Sequence, residues 1–360
     1  MPPAPGFAGA ALRQVAQPAI GGSRVRASFS NAYGERPLVF RAAHIAASAA
    51  LGAIGPGAAL TFDGRGSVTI QPGAVMVSDP VELEVRPFAN LAVTVALDDA
   101  PPQSITGHPG SRTTSFFQPG ADVAAGDLSS GTSVDHWYFL SQVDVWTDAE
   151  ARAVVTLGDS ITDGRGSTTN QNDRWPNNLA RRLLANPATA RVSVLNQGIG
   201  GNRILRDGLG PNMLARFDRD VLAIPQVRWL IVLAGINDLG TAKGAREAGE
   251  PGATAADLIA AYRQMIVRAR AHGISVYGAT ILPFEGFSYF SPRGEADRQA
   301  INQWMRGSGE LDGVIDFDAV GRDPNAPSRL SAALDGGDHL HPSAAGYRIM
   351  ADAIDLRLFT

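Results

Sequence analysis

Val154-Val155-Thr156-Leu157-Gly158-Asp159-Ser160 is a short apolar run that stops on a Gly-Asp-Ser turn and passes into a helical stretch. A run of this length, closed by turn residues and rich in β-branched side chains, reads as a buried strand. Similar runs follow at Val192-Ser193-Val194-Leu195, Trp229-Leu230-Ile231-Val232-Leu233, Ile274-Ser275-Val276-Tyr277-Gly278-Ala279 and Val314-Ile315-Asp316-Phe317. Segments with helical spacing lie at about residues 175–185, 211–222, 254–271, 294–306 and 343–356. Strand and helix in alternation imply a parallel sheet covered by helices on both faces, an α/β domain. Ligands of such a sheet sit beyond the carboxyl ends of its strands.

Upstream of Ala151 the pattern changes. From about Gly21 to Trp146 short β-rich segments alternate with Gly, Pro and Asp turns, as in Arg24-Val25-Arg26-Ala27-Ser28-Phe29, Ser67-Val68-Thr69-Ile70, Val81-Glu82-Leu83-Glu84-Val85 and Leu91-Ala92-Val93-Thr94-Val95. Period-2 alternation at this close spacing predicts an antiparallel sandwich or jelly roll. A chain of 360 residues is long for one core, and the change of period predicts two domains, residues 1–150 and 151–360. The Gly/Ala-rich stretch from Ala47 to Ala59 is the one compositionally biased segment.

A hydrophobic share of 44% and a charged share of 18% describe a folded globular protein. The formal charge of -4, without a basic run, argues against nucleic acid as a partner. There is no cysteine, so neither a thiol nucleophile nor a disulfide frame is available. No apolar run approaches the roughly 20 residues of a membrane span. The start, Met1-Pro2-Pro3-Ala4-Pro5, lacks the basic and apolar regions of a secretion signal, which is read as absent or removed. Lys243 is the single lysine beside many arginines, a bias of genome composition before it is a functional signal.

The polar residues that carry chemistry fall after the strands. Ser160 follows the first, at a helix start whose free N–H groups stabilise negative charge, although such a serine is also an ordinary N-cap. Asn196-Gln197-Gly198-Ile199-Gly200-Gly201-Asn202-Arg203 follows the second. It matches neither the P-loop nor the dinucleotide fingerprint, and a backbone N–H donor suits it better than a phosphate cradle. Asn237, in Ala234-Gly235-Ile236-Asn237-Asp238, offers an amide at the end of the third strand: an oxyanion donor worth about 10²–10³ in rate, or an Asx-turn. Asp238 takes a structural part holding that loop. Asp338 and His341 stand three apart before Pro342 and a helix start at Ser343. At that spacing the carboxylate can take the Nδ1 proton and leave Nε2 free to accept a proton from a serine. The rival is a metal site built from Asp159, Asp163, Asn237, His339 and His341, because His-x-His after Gly-Asp resembles the last motif of metallophosphoesterases. Against it, an early Asp-x-His and a Gly-Asn-His-Asp/Glu block are missing. His44, His108, His136 and His272 lack motif company and receive no catalytic part. Trp175 is read as core under the first long helix, or as a border of the cleft.

Taken together these blocks resemble the GDSL family, also called SGNH hydrolases. Gly158-Asp159-Ser160-Ile161-Thr162-Asp163-Gly164 is similar to its first block, Asn196 to Asn202 to its second, Gly235-Ile236-Asn237-Asp238 to its third, and Asp338-His339-Leu340-His341-Pro342 to its fifth. The resemblance covers roughly residues 151–360. It implies a flavodoxin-like three-layer α/β/α domain with a five-stranded parallel sheet. It implies Ser160 as nucleophile, Asp338 and His341 as the rest of a triad, and an oxyanion hole of the Ser160 N–H, a backbone N–H from Gly200 or Gly201, and the Asn237 side chain. Alignment from Asn196 favours Gly201. Asn202, Ile236 and His339 are candidate substrate-binding residues. The β-rich half is similar to the all-β sandwich or jelly roll that precedes the catalytic domain in some secreted bacterial members, carbohydrate esterases among them. That similarity implies a secreted or periplasmic protein, with a cytoplasmic place left open.

The activity so implied is hydrolysis of short-chain carboxylic esters, O-acetyl groups on a carbohydrate or small alcohol, with no metal or cofactor. The alternatives are a metal-dependent phosphoesterase and a carbohydrate-binding protein with a vestigial hydrolase domain. The β-rich half is expected to act as a structural lid or as a glycan-binding module.

Overall fold

The structure, a computed structural model, describes residues 7–48, 50–98, 104–147 and 150–360. The segment Met1 to Pro5 lies outside the described residues. The chain forms two compact units, Met1–Glu150 and Ala151–Thr360.

In the first unit one antiparallel sheet runs Thr132–Val134, Ser115–Pro119, Ala10–Ala16, Leu91–Leu97, Leu38–Ala47 and Gly57–Leu60, with Val68–Ile70 also paired to Leu38–Ala47. A second holds Gly22–Ser30 between Leu140–Trp146 and Val75–Val77, with Val81–Val85 also paired to Gly22–Ser30. Val25, Ala27 and Phe29 of the second sheet and Leu12, Phe40, Ile45, Val93 and Val95 of the first belong to one buried cluster. Two sheets around a common core make a sandwich, as the period-2 alternation predicts. Arg13 is fully buried in it. Its guanidinium donates to Thr94 Oγ1 at 2.9 Å and to the carbonyls of Gly52 and Ala125 at 2.7 Å each, so the buried donors are met by backbone oxygens.

The second unit is a parallel sheet of β1 (Arg152–Gly158), β2 (Val192–Gly198), β3 (Val227–Leu233), β4 (Ser275–Ala279) and β5 (Gly313–Ile315), in the order β2-β1-β3-β4-β5. Helices α1 (Ser160–Asp163), α2 (Trp175–Ala185), α3 (Met213–Phe217), α4 (Ile236–Glu247), α5 (Ala255–Ala271), α6 (Pro292–Gly307), α7 (Phe317–Gly321) and α8 (Ala344–Asp352) complete it. Alternate strand residues feed two cores. Val155, Leu157, Leu230, Val232 and Val276 pack with Phe217, Leu239, Tyr262 and Met305. Val154, Ile231, Leu233 and Tyr277 pack with Trp175, Leu179, Phe317 and Tyr347. The result is the flavodoxin-like three-layer α/β/α arrangement, whose strand order reverses between β1 and β3 and opens a crevice there.

Local signals fix several boundaries. Thr254 caps α5, its hydroxyl accepting from the Asp257 N–H while the Asp257 side chain accepts from the Thr254 N–H, a reciprocal capping box. Ser291 caps α6 and Pro292 opens it. Trp175 is wholly buried against Phe317, with ring centroids 5.5 Å apart, so it is core and not cleft wall. Two expectations need correction. Residues 236–247 form α4, because Gly235 at φ +114° turns the chain straight from β3 into a helix; Asn237 therefore lies in a helical first turn, not in an Asx-turn. The segment 211–222 is not one regular helix but α3 continued by a wide π turn, Asp218–Leu222. Among the described residues no helix is long and apolar enough to cross a membrane.

Candidate active site

β1 ends at Gly158 and the chain turns at once into α1. Asp159 caps that turn, its Oδ1 accepting from the Ile161 N–H at 3.0 Å, and Ser160 becomes the first helical residue. Ser160 and His341 are each only 6% exposed. The Ser160 hydroxyl donates to His341 Nε2 at 2.9 Å, and His341 Nδ1 donates to Asp338 Oδ2 at 2.6 Å. The tautomer follows from the carboxylate, which can only accept. Asp338 Oδ1 also accepts from the N–H groups of Leu340 and His341, at 3.0 and 2.8 Å. Burial pushes this carboxyl up, but those N–H groups and the imidazole outweigh it, and its pKa lies below the ordinary value. The loop itself is closed by Gly336 N–H to His341 O at 2.8 Å and Ser343 N–H to Leu334 O at 2.8 Å.

The second block comes in beside α1. An added Cβ at Gly198 would lie 2.2 Å from the Asp163 nitrogen, so only glycine lets β2 approach this closely. Asn196 Nδ2 donates to Thr162 O at 2.8 Å. The Gly200 N–H donates to Asp163 Oδ2 at 3.1 Å and is consumed. Gly201 sits at φ +70°, and among the described residues neither its N–H nor that of Ser160 has an acceptor. The Gly200 N–H is thus engaged, whereas the Gly201 N–H is open. Asn237 Nδ2 donates to Asn202 O at 3.0 Å, joining the third block to the second.

Two buried carboxyls lie under this surface. Asp159 is pushed up to about 7, by burial first and then by its neighbours Asp238 and Asp163 against the Ile161 N–H. Asp238 is pushed up to about 6 by burial, against the N–H groups of Ile204 and Leu205 that it accepts at 2.9 and 3.1 Å. Asp238 thereby holds the loop after Asn202, the structural part expected of it.

The candidate substrate-binding residues are not gathered with the others. The Asn202 amide is turned inward, donating to Pro211 O at 2.7 Å and accepting from Arg216 Nε at 3.0 Å. Ile236 is 2% exposed and belongs to the apolar core. His339 lies at φ +66° with its side chain 57% exposed, its Nδ1 donating to Asp335 Oδ2 at 2.7 Å. The rival metal set is likewise dispersed: Asp159 caps a helix, Asp163 accepts from Gly200 and His339 pairs with Asp335. Among the described residues no three His, Asp or Glu side chains converge as metal ligands would.

Sequence reasoning missed two neighbours. Phe287 meets the His341 ring edge to face, centroids 6.2 Å apart. Its segment is pinned behind by Asn302, which accepts from the Ile281 N–H at 2.8 Å and donates to the Ile281 carbonyl at 2.9 Å. Arg216 is buried between strand ends. Neither lies in a block with a motif, and an arginine in a short amphipathic segment reads as surface.

The sequence profile of the GDSL-like Lipase/Acylhydrolase family matches residues 156–349. No curated protein sequence matches the chain. Similar solved structures include one described as a lipolytic protein of the G-D-S-L family from Desulfitobacterium hafniense DCB-2, at 22% identity, 56% of this chain, 96% of that chain and a TM-score of 0.43. An alpha/beta hydrolase enzyme from the metagenome of Lake Arreo, Spain, is similar at 20% identity, 57% and 94% coverage and a TM-score of 0.44. A catalytic mutant of an acetylxylan esterase from Geobacillus stearothermophilus gives 21%, 58% and 94%, and 0.45. The family profile spans more than half of the chain and takes in Ser160, Gly201, Asn237, Asp338 and His341. This chain belongs to the GDSL-like lipase/acylhydrolase family and is a carboxylic ester hydrolase.

Proposed function

We propose that the chain is a serine esterase that removes short acyl groups, acetyl above all, from a carbohydrate or small alcohol through an acyl-serine intermediate. The observation that carries this reading is the unbroken relay from Ser160 Oγ through His341 to Asp338, with contacts of 2.9 and 2.6 Å. In the first half-reaction the Ser160 oxygen attacks the ester carbonyl carbon as its proton passes to His341 Nε2. Asp338 holds the imidazolium that forms. The N–H groups of Ser160 and Gly201 and the Asn237 amide receive the oxyanion. His341 then gives its proton to the departing alkoxide as the carbon–oxygen bond breaks, and the alcohol leaves. Water repeats the sequence on the acyl-serine, releasing the carboxylic acid and restoring the serine. The roles need no metal or cofactor.

A small acyl group is favoured because the sequence holds no long apolar run of the kind that would cover a long acyl chain. The cleft segment after β4 is also mixed in character, with Glu285 accepting from Arg329 at 3.0 Å close to Phe287. We give the N-terminal sandwich a structural part, and the resemblance to sandwich-bearing members supports an extracytoplasmic place, which fractionation of the native host would check against a cytoplasmic one.

Ser160→Ala should lower p-nitrophenyl acetate turnover on the order of 10⁴-fold or more with an unchanged melting temperature. Turnover at the parental rate would sink the assignment. A screen over acyl chains from acetyl to octanoyl should show kcat/KM highest at the shortest; a maximum at octanoyl would overturn the substrate reading.

A further inference from the structure

We propose that Arg216 is the positioning residue of the oxyanion side of this site, an inference that rests on the esterase reading above. Arg216 projects from the short helix α3, and its side chain is 0% exposed. Its Nη2 donates to the Gly158 carbonyl at 3.2 Å and to the Gln197 carbonyl at 2.8 Å. Those are the carboxyl ends of β1 and β2, neighbouring strands of the parallel sheet. Its Nε donates to Asn202 Oδ1 at 3.0 Å, and its Nη1 pairs with Asp220 Oδ2 at 2.9 Å.

Two of these contacts, to Gly158 and to Asn202, lead to the oxyanion donors. Gly158 stands two residues before Ser160, so fixing its carbonyl fixes the turn that aims the Ser160 N–H. Asn202 follows Gly201 directly, and its side chain is held by Arg216. The Asn202 carbonyl receives the Asn237 amide at 3.0 Å. Through two residues, Gly158 and Asn202, one guanidinium therefore ties down all three donors. The task needs an arginine: its planar fork offers donors in several fixed directions, whereas a lysine ammonium is a single point on a flexible stem. A buried cation is tolerated here because Asp220 neutralises it and carbonyl oxygens of Gly158, Gln197 and the Asn202 side chain accept from it. A packing role alone would not require donors aimed at both strand ends and at the loop together.

Preorganisation of this kind is felt in the transition state, where the oxyanion exists, and little in substrate binding. Arg216→Lys should therefore lower kcat for p-nitrophenyl acetate by about 10- to 100-fold, with KM changed by less than about twofold. The effect should also be smaller on top of Asn237→Ala: Arg216→Lys should slow the Asn237→Ala variant by a smaller factor than it slows the parent, because one of the three donors that Arg216 ties down is already gone. If Arg216→Lys does not fold, Asn202→Ala carries the test. It removes the tie to the Gly201 loop but leaves the contacts of Arg216 to Gly158, Gln197 and Asp220, and the same fall in kcat at constant KM is expected. An unchanged kcat in the folded variant, a loss expressed in KM, or losses that multiply with Asn237→Ala would each overturn the inference. Ser160→Ala run in parallel separates the two readings: if it is inactive while Arg216→Lys is unchanged, only the positioning role fails, and if it is fully active the esterase reading fails and this one with it.

Discussion

Asp159 stands one residue before Ser160, 1% exposed, with Asp238 and Asp163 as neighbouring charges. Its carboxyl is held at about 7 against an ordinary 3.8, so the folded protein binds a proton there that the unfolded chain releases. The sign follows: the stabilisation is complete below about 4 and is lost as the pH rises through about 7. Asp159→Asn keeps an oxygen for the Ile161 N–H and cannot ionise. The variant should show a flatter loss of melting temperature between pH 4 and pH 7, read by thermal unfolding across that range. A variant whose melting curve falls over that window as steeply as the parent's would remove Asp159 from the explanation. Gly201 carries a second residue-scale expectation. At φ +70°, with an added Cβ 2.6 Å from Leu209 Cδ1, alanine there strains the backbone and displaces the N–H proposed as an oxyanion donor. Gly201→Ala should cost about 10- to 100-fold in kcat. Gly200→Ala, whose Cβ would meet nothing closer than Asp163 Oδ2 at 3.5 Å, should cost far less. Equal losses in the two variants would mean that the Gly201 N–H is not the donor.

At the scale of the element, the close approach of β2 to α1 brings the second block beside the helix that Ser160 opens. Gly198→Ala would place a methyl 2.2 Å from the backbone nitrogen of Asp163, and backbone cannot rotate away as a side chain can. The variant should be destabilised by more than about 3 kcal/mol and should lose activity together with its fold, as far-ultraviolet circular dichroism and denaturant titration would show. Parental stability would mean that β2 and α1 stand further apart than described. How far elements are legible in the sequence differs with their signal. The strands of the parallel sheet announce themselves as apolar runs, and α5 and α6 do so by helical period and caps. Helix α4 is hidden because its sequence, Ile236-Asn237-Asp238-Leu239-Gly240-Thr241-Ala242-Lys243-Gly244, carries two glycines and little amphipathic pattern. Gly240 is there because Tyr289 occupies its Cβ position at 2.1 Å, a tertiary reason that no local pattern carries. For the same cause Ser160, His341 and Asp338 could be named from motif and spacing, whereas Arg216 and Phe287 could not: their parts come from long-range contacts alone. Asn202 and Ile236 stand inside recognisable blocks yet serve the scaffold, since a block marks a stretch and not the direction in which each side chain points.

Over the whole molecule the change of period near Ala151 coincides with the separation of the cores. The apolar cluster built on Leu12, Phe29, Phe40 and Val93 contains only residues before Glu150, and the two clusters flanking the parallel sheet contain only residues after it. Period-2 alternation can bury one face of a sheet against another, and buried runs alternating with helices fill two faces of a single sheet; neither pattern can be satisfied by the other's core. The consequence is testable by paired cavities. Phe29 and Trp175 are both 0% exposed, one in each unit, and truncating either to alanine should cost about 3–5 kcal/mol by leaving space that its neighbours fill only in part. Hydrogen exchange followed by mass spectrometry would show where the cost falls. In Phe29→Ala the strands Gly22–Ser30 and Leu38–Ala47 should exchange faster while β1 and β3 keep parental protection, and Trp175→Ala should do the reverse. Because Trp175 packs on the same face of the sheet as Phe317 and Tyr347, its loss should also slow ester turnover, which Phe29→Ala should leave near the parental rate. If either cavity loosens both sets of strands alike, the two cores do not act as separate cooperative units, and the boundary read from the change in period marks a change of architecture without a division of stability.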